Sequence, residues 1–208
     1  QQIIYRGNFY MNTNRIRYKQ RDFHLDEIDK FTDLDWSLER FGCGPTSIAN
    51  ILANYGYDVT PVNMAKKILF DEQGKFDEKF LRNRGINDKG LIYCLDRLIQ
   101  EDKMNIDYEI VKIDFSNPNN QKEKIIDLVK KGNMAIIHVG PSEISPLTFS
   151  KNGHYLVISD IDENNNFYVI NSNKIGDTQL GVPFEYDTII KNMTGRKDSF
   201  NFLFIKNN

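Results

Sequence analysis

The apolar pattern of this chain changes period partway along its length. Between residues 46 and 99 apolar side chains return every three or four positions. Ile48, Ile51, Leu52 and Tyr55, for example, fall at i, i+3, i+4 and i+7, which places them on one face of a helix. Beyond residue 107 they come instead in short dense runs: "YEIVKIDF" (108–115), "MAIIHVG" (134–140), "HYLVISDID" (154–162), "NFYVINSN" (166–173) and "SFNFLFIK" (199–206). Runs of that length, rich in Val, Ile, Tyr and Phe, read as strands. Helices crowded into the first half and strands into the second predict an α+β fold, with the early helices packed on an antiparallel sheet from the second half.

The punctuation agrees. Gly56 stands as the C′ stop of the first helix. Thr60 and Pro61 cap and open a second, "VTPVNMAKKIL". A third follows in "NDKGLIYCLDRLIQEDK", whereas "FDEQGKFDEKFLRNRG" between them is too polar to place. Helices are also expected at 120–132, ending at Gly132, and at 184–193. An Asn-rich turn near Asn164 joins the runs at 154–162 and 166–173 into a hairpin. Residues 1–40 are polar and irregular, an arm laid over the rest with room for short strands. With 208 residues and no internal repeat, one domain spanning 1–208 is expected. That length buries a core without disulfide staples.

Composition excludes several classes of function. The net charge is −2 and no basic stripe is present, so a nucleic-acid partner is not expected. No apolar run reaches the roughly 18 residues of a membrane helix, so no membrane insertion is expected. The N-terminus lacks both an initiator Met and a signal peptide's apolar block, which suggests a processed end and leaves the compartment unread. Two cysteines are too few for a disulfide scaffold. "DIDENNNF" spaces its oxygens like a calcium loop, but Asn165 occupies the glycine position and Asn171 the final glutamate position, so a polar turn is the better reading. No His/Cys spacing suits zinc. Neither a metal nor an organic cofactor is expected, and a monomer is. Cys94, between Tyr93 and Leu95 on the third helix, reads as core.

Cys43 is different. It sits between Gly42 and Gly44, followed by Pro45, just ahead of the first helix. A helix N-terminus carries unpaired N–H groups and about half a positive charge, a field that favours the thiolate. The glycines allow a tight turn and close approach of a substrate carbonyl, and Pro45 suits a helix start. Thr46 or Ser47 would cap. A small buried cysteine at a helix start is the bland alternative. A nucleophile needs a base, and the base an orienter. Of three histidines, His24 lies in the polar arm and His138 inside a buried strand, where a satisfied core histidine is expected. His154 opens a strand after Gly153, which allows close backbone approach. Phe167, Val169 and Asn171 share a strand face, and the hairpin brings His154 and Asn171 to one open end. Cys43, His154 and Asn171 thus form a candidate cysteine-hydrolase triad.

"GCGPTSIANIL", "FSKNGHYLVISDID" and "NFYVINSN" together resemble the papain-superfamily peptidases related to bacteriocin-leader (double-glycine) peptidases, and within them the cell-wall endopeptidase and lysin branch. The order of elements agrees from about Tyr18 to Ile205. The resemblance implies a papain-like fold, with Cys43 as nucleophile, His154 as base and then acid, and Asn171 as orienter. Asn171-Ser172 stands where that family usually carries Asp-Pro, and a neutral amide stabilises an imidazolium less than a carboxylate would. "RYKQRDF" supplies Gln20 at the place of the family's oxyanion donor, though far upstream of Cys43, and Trp36 falls at its aromatic landmark. Such a donor contributes about 2.7–4 kcal/mol. The implied activity is hydrolysis of a peptide or isopeptide bond through a thioester, with peptidoglycan cross-links or stem peptides as substrate and a secreted or cell-wall-directed location. The same site would also serve a transpeptidase or a deamidase, and a peptide-binding module without catalysis remains open.

Overall fold

A computed structural model of the chain describes residues 3–6, 9–12, 15–24, 36–82, 85–141 and 148–208. An antiparallel hairpin, β1 (Ile3–Arg6) and β2 (Phe9–Asn12), opens the arm. Residues 15–24 then lie across the rest, as expected. Four helices follow: α1 (Leu38–Phe41), α2 (Cys43–Asn54), α3 (Pro61–Leu69) and α4 (Asp88–Gln100). The polar stretch the sequence left unplaced holds a small ladder, β3 (Leu81–Arg82) with β4 (Gly85–Ile86). The second half contributes β5 (Ile106–Val111), α5 (Lys122–Lys130), β6 (Met134–Val139), β7 (His154–Ile161), β8 (Phe167–Ile170), α6 (Tyr186–Met193) and β9 (Phe202–Asn207).

Among the described residues, five strands form one antiparallel sheet in the order β5-β9-β6-β7-β8. Both of its faces are covered. Met134, Ile136, Val157 and Leu203 pack against α2, α3 and α4, while Ala135, Ile137, Leu156 and Phe204 pack against α5 and α6. Coverage on both sides is why these strands read as unbroken apolar runs rather than as clean alternation. Ile48, Ile51 and Leu52 of α2 are fully buried, a contribution of about 1.5–3 kcal/mol each.

The helix punctuation holds where local rules govern it. Gly56 and Gly132 take the positive φ of helix stops, and Thr60 with Asn63 forms a capping box before Pro61. The start of α2 departs from expectation. Cys43 is its first residue, and Gly42 precedes it as N-cap with no side-chain bond. Thr46 and Ser47 do not cap: both are buried inside the helix with unpartnered hydroxyls. Gly42 is required by crowding, because a Cβ there would lie 2.5 Å from the Leu38 carbonyl oxygen of α1. At the far end of α2 the Tyr55 hydroxyl accepts from Met134 N (2.8 Å) and donates to Ile205 O (2.6 Å), fastening the helix to β6 and β9.

Candidate active site

The structure brings Cys43 and His154 together. The Tyr155 N–H donates to Cys43 Sγ at 3.5 Å, so the sulfur rests on the peptide bond that joins His154 to Tyr155. His154 is 4% exposed, at the first position of β7. Its Nε2 lies 2.8 Å from Asn171 Oδ1, just past the end of β8.

The surrounding bonds fix which ring nitrogen carries the proton. Asn171 Nδ2 donates to Phe149 O and to Gln179 Oε1, both at 3.0 Å, which uses both amide hydrogens. Gln179 is itself oriented, since its Nε2 donates to Thr148 O at 2.9 Å. Asn171 must therefore present its oxygen to His154, and the imidazole donates from Nε2. The lone pair is left on Nδ1. Behind this amide, Arg17 Nε donates to Asn171 O (2.6 Å) and Arg17 Nη2 to Asn173 O (2.7 Å), while Arg17 and Arg21 both pair with Asp177. Gly176 packs so close that a Cβ would sit 2.0 Å from Asn171 O.

Gln20 also reaches this corner. It is 7% exposed, accepts from Ser172 Oγ at 2.8 Å and donates through Nε2 to Glu39 O at 2.8 Å. Its environment is that of a buried bridge between the end of β8 and α1, not of a surface glutamine on the arm. Trp36 is buried in the core cluster with Leu38; the rest of "DLDW" lies outside the described residues.

Burial governs the two titrating groups. Desolvation pulls the His154 imidazole down to about 4, only partly countered by Asn171. It also pushes the Cys43 thiol up, against the smaller pull of backbone N–H groups at Tyr155, Gly44 and Cys43 itself. Burial thus works against the helix-start field at Cys43 and disfavours the charged form of both groups, while Cys43 itself stays half-buried at the edge of an open cleft. Cys94 is 0% exposed against Met64 in the core, with its thiol pushed up to about 12.

Other expectations sort as follows. His24 is exposed on the arm. His138 is not a sealed core residue. It is half-buried on β6, stacked on the Tyr155 ring at 4.1 Å, with Nδ1 3.9 Å from Asp88 Oδ1. The Asn-rich segment is a turn: Asp162 Oδ1 accepts from the backbone N–H of Asn164 and Asn166. No group of three or more His, Cys, Asp and Glu suited to a metal ion occurs among the described residues, and none of their helices is long and apolar enough to cross a membrane. Arg17, Gln179 and Gly176 were not found from the sequence. Their only signal is proximity to Asn171, which a linear reading does not contain.

Beside Cys43 a cleft of about 800 Å³ opens between the start of α4 and residues 195–199. His138, Gly153, Tyr155 and Asp88 line it. Asp88 is held by three donors: it accepts from the Tyr155 hydroxyl, Ser199 Oγ (3.2 Å) and Phe200 N (3.0 Å).

Residues 16–192 match the family model of the Peptidase_C39-like family, and the chain belongs to that family. Its fold is also that of a solved structure described as a C39-like peptidase from Bacillus anthracis, at 16% identity and TM-score 0.56, with 94% of this chain and 96% of the other covered. The peptidase domain of Streptococcus ComA, a bifunctional ABC transporter involved in quorum sensing, aligns at 14% identity and TM-score 0.47, covering 80% of this chain and 90% of that one. No curated protein matches. The helices and antiparallel sheet are thus the papain-like peptidase fold expected from the sequence, and the family is one of peptidases.

Proposed function

We propose, from membership of the C39-like family, that this chain is a cysteine endopeptidase that cuts a peptide or isopeptide bond through a thioester. Cys43 is the nucleophile, His154 the base and then the acid, and Asn171 the orienter. The observation that carries this reading is the 2.8 Å bond from His154 Nε2 to Asn171 Oδ1 on a histidine whose following N–H holds the Cys43 sulfur.

The chemistry proceeds from the uncharged forms that burial favours. With thiol and imidazole both neutral, Nδ1 takes the sulfur's proton as the sulfur attacks the carbonyl carbon. The oxyanion that forms is stabilised by the Cys43 N–H at the open start of α2, with Gln20 as the second donor. The imidazolium gives its proton to the leaving amine, and water then enters with His154 again as base to release the acid and the thiol. Every proton taken is returned. The substrate proposed is bacterial peptidoglycan, at a cross-link or stem peptide; it rests on the likeness of the three motifs to cell-wall peptidases.

Incubation with purified peptidoglycan, followed by mass spectrometry of the released termini, tests this. New amine and carboxyl termini are expected from the wild type and none above background from Cys43→Ala, which should keep its thermal transition. Undiminished cleavage by Cys43→Ala would end the proposal. Release of cleaved stem peptides joined to an added amine would make the enzyme a transpeptidase instead.

A further inference from the structure

The cleft beside Cys43 contains a guanidinium that makes no ion pair among the described residues. Arg196 lies in the short helical turn Thr194–Arg196, beyond α6, and lines the cleft together with Cys43. Among the described residues nothing pairs with it, and its Nε is buried with no hydrogen-bond partner. An N–H left without an acceptor is a cost that packing has to offset.

The backbone is nonetheless shaped around this guanidinium. A Cβ on Gly153 would lie 2.5 Å from Arg196 Nη2, and one on Gly140 would lie 2.8 Å from Nε. Two glycines, one ending β6 and one directly preceding His154, admit the planar group between them. The close approach that Gly153 allows is that of the Arg196 side chain. The carboxylate that lines the same cleft nearby, Asp88, is held by Tyr155, Ser199 and Phe200 instead. The described lining residues carry Arg40, Lys89, Arg196 and Lys197 against Asp88 and Asp198. A cleft of positive balance on a chain of net charge −2 attracts anions.

We infer that Arg196 is a substrate-binding residue that selects a carboxylate on the peptide held in the cleft of Cys43. With Nε held between the two glycines, Arg196 is half-exposed, and its terminal Nη groups can meet a carboxylate in a charge-assisted pair. The carboxylate is supplied either by an acidic side chain within the peptide or by a free C-terminal α-carboxylate. This rests on the peptidase reading for the word substrate, but the binding itself does not need turnover.

The test uses protection of Cys43 from alkylation in the full chain. Iodoacetamide labelling is followed by intact-protein mass, with buried Cys94 as a silent reference. Competitors are blocked tetrapeptide pools containing Glu, matched pools with Gln in its place, and a second pair with free or amidated C-termini. One acid member of these pairs should protect at about tenfold lower concentration than its neutral partner. The pair that does so identifies the source of the carboxylate. Arg196→Gln should erase the difference, and Arg196→Lys, which keeps the charge without the fork, should retain part of it. Equal protection by acid and neutral pools in the wild type would overturn the inference, as would a preference that survives in Arg196→Gln. Acid-selective protection in a protein that never cleaves peptidoglycan would keep Arg196 as a carboxylate site and end the peptidoglycan reading instead.

Discussion

Cys43 and His154 have two flanks built on opposite principles. On the Asn171 side polar atoms are paired and buried: Thr148 O holds Gln179, Gln179 and Phe149 hold Asn171, and Asn171 holds His154. On the Arg196 side a cleft opens, lined by more positive than negative side chains, with a guanidinium whose Nε has no hydrogen-bond partner. The closed flank sets a tautomer once and for all, and the open flank is left unfinished so that a ligand can complete it. Preorganisation belongs where the catalytic geometry must not vary, and unmet bonding capacity where the partner must be chosen.

Breaking the closed flank should have the larger effects. Asn171→Ala removes the acceptor that fixes the Nε2–H tautomer, and kcat is expected to fall about 10²–10⁴-fold with KM little changed, read by steady-state kinetics on a cleaved peptide. Next comes a pH effect. The folded His154 value of about 4 lies below its unfolded value near 6.5, so between those limits the unfolded chain holds a proton that the folded one does not. Stability should therefore fall as pH drops from 6.5 to 4, by about 3 kcal/mol in all from this one group. Below 4 this loss levels off, and above 6.5 the group contributes no slope. Urea midpoints at pH 4.5 and 7 should differ more in the wild type than in His154→Gln. The acid limb of activity should likewise sit near pH 4 rather than 6.5.

Gln179→Leu is expected to cost about 1–3 kcal/mol, because it strands one Asn171 amide hydrogen in a buried site. Its midpoint shift should come with a smaller loss of kcat than Asn171→Ala causes. At the small end, Lys197→Ala on the open flank should leave stability within about 0.5 kcal/mol of wild type and only flatten the salt dependence of activity. A large stability loss there would mean that the open flank is structural after all, and the contrast between the flanks would fail.

Much of the fold could be read before any coordinates. Helix stops at Gly56 and Gly132, the Thr60–Pro61 start and the Asn164 hairpin follow from local backbone chemistry. The strand runs announce a sheet buried on both faces. What escaped were pairings between polar residues far apart in sequence. The β3–β4 ladder hid in a charged stretch. Gln20, read as an oxyanion donor, is also the bridge between α1 and Ser172. Thr46 and Ser47 carry capping side chains but begin too late, since the helix starts at Cys43 itself.

The residue types of the site, their order and the elements that bear them are properties of the amino-acid sequence alone. Cysteine at a helix start, histidine at a strand start and an amide at the end of the next strand are each announced by near neighbours. Folding decided the electrical state and the environment. Whether Cys43 rests as thiol or thiolate, which nitrogen of His154 holds its proton, and that Arg196 stands beside them unpaired all depend on desolvation and on contacts across more than a hundred residues. Those terms do not exist until the chain has closed on itself.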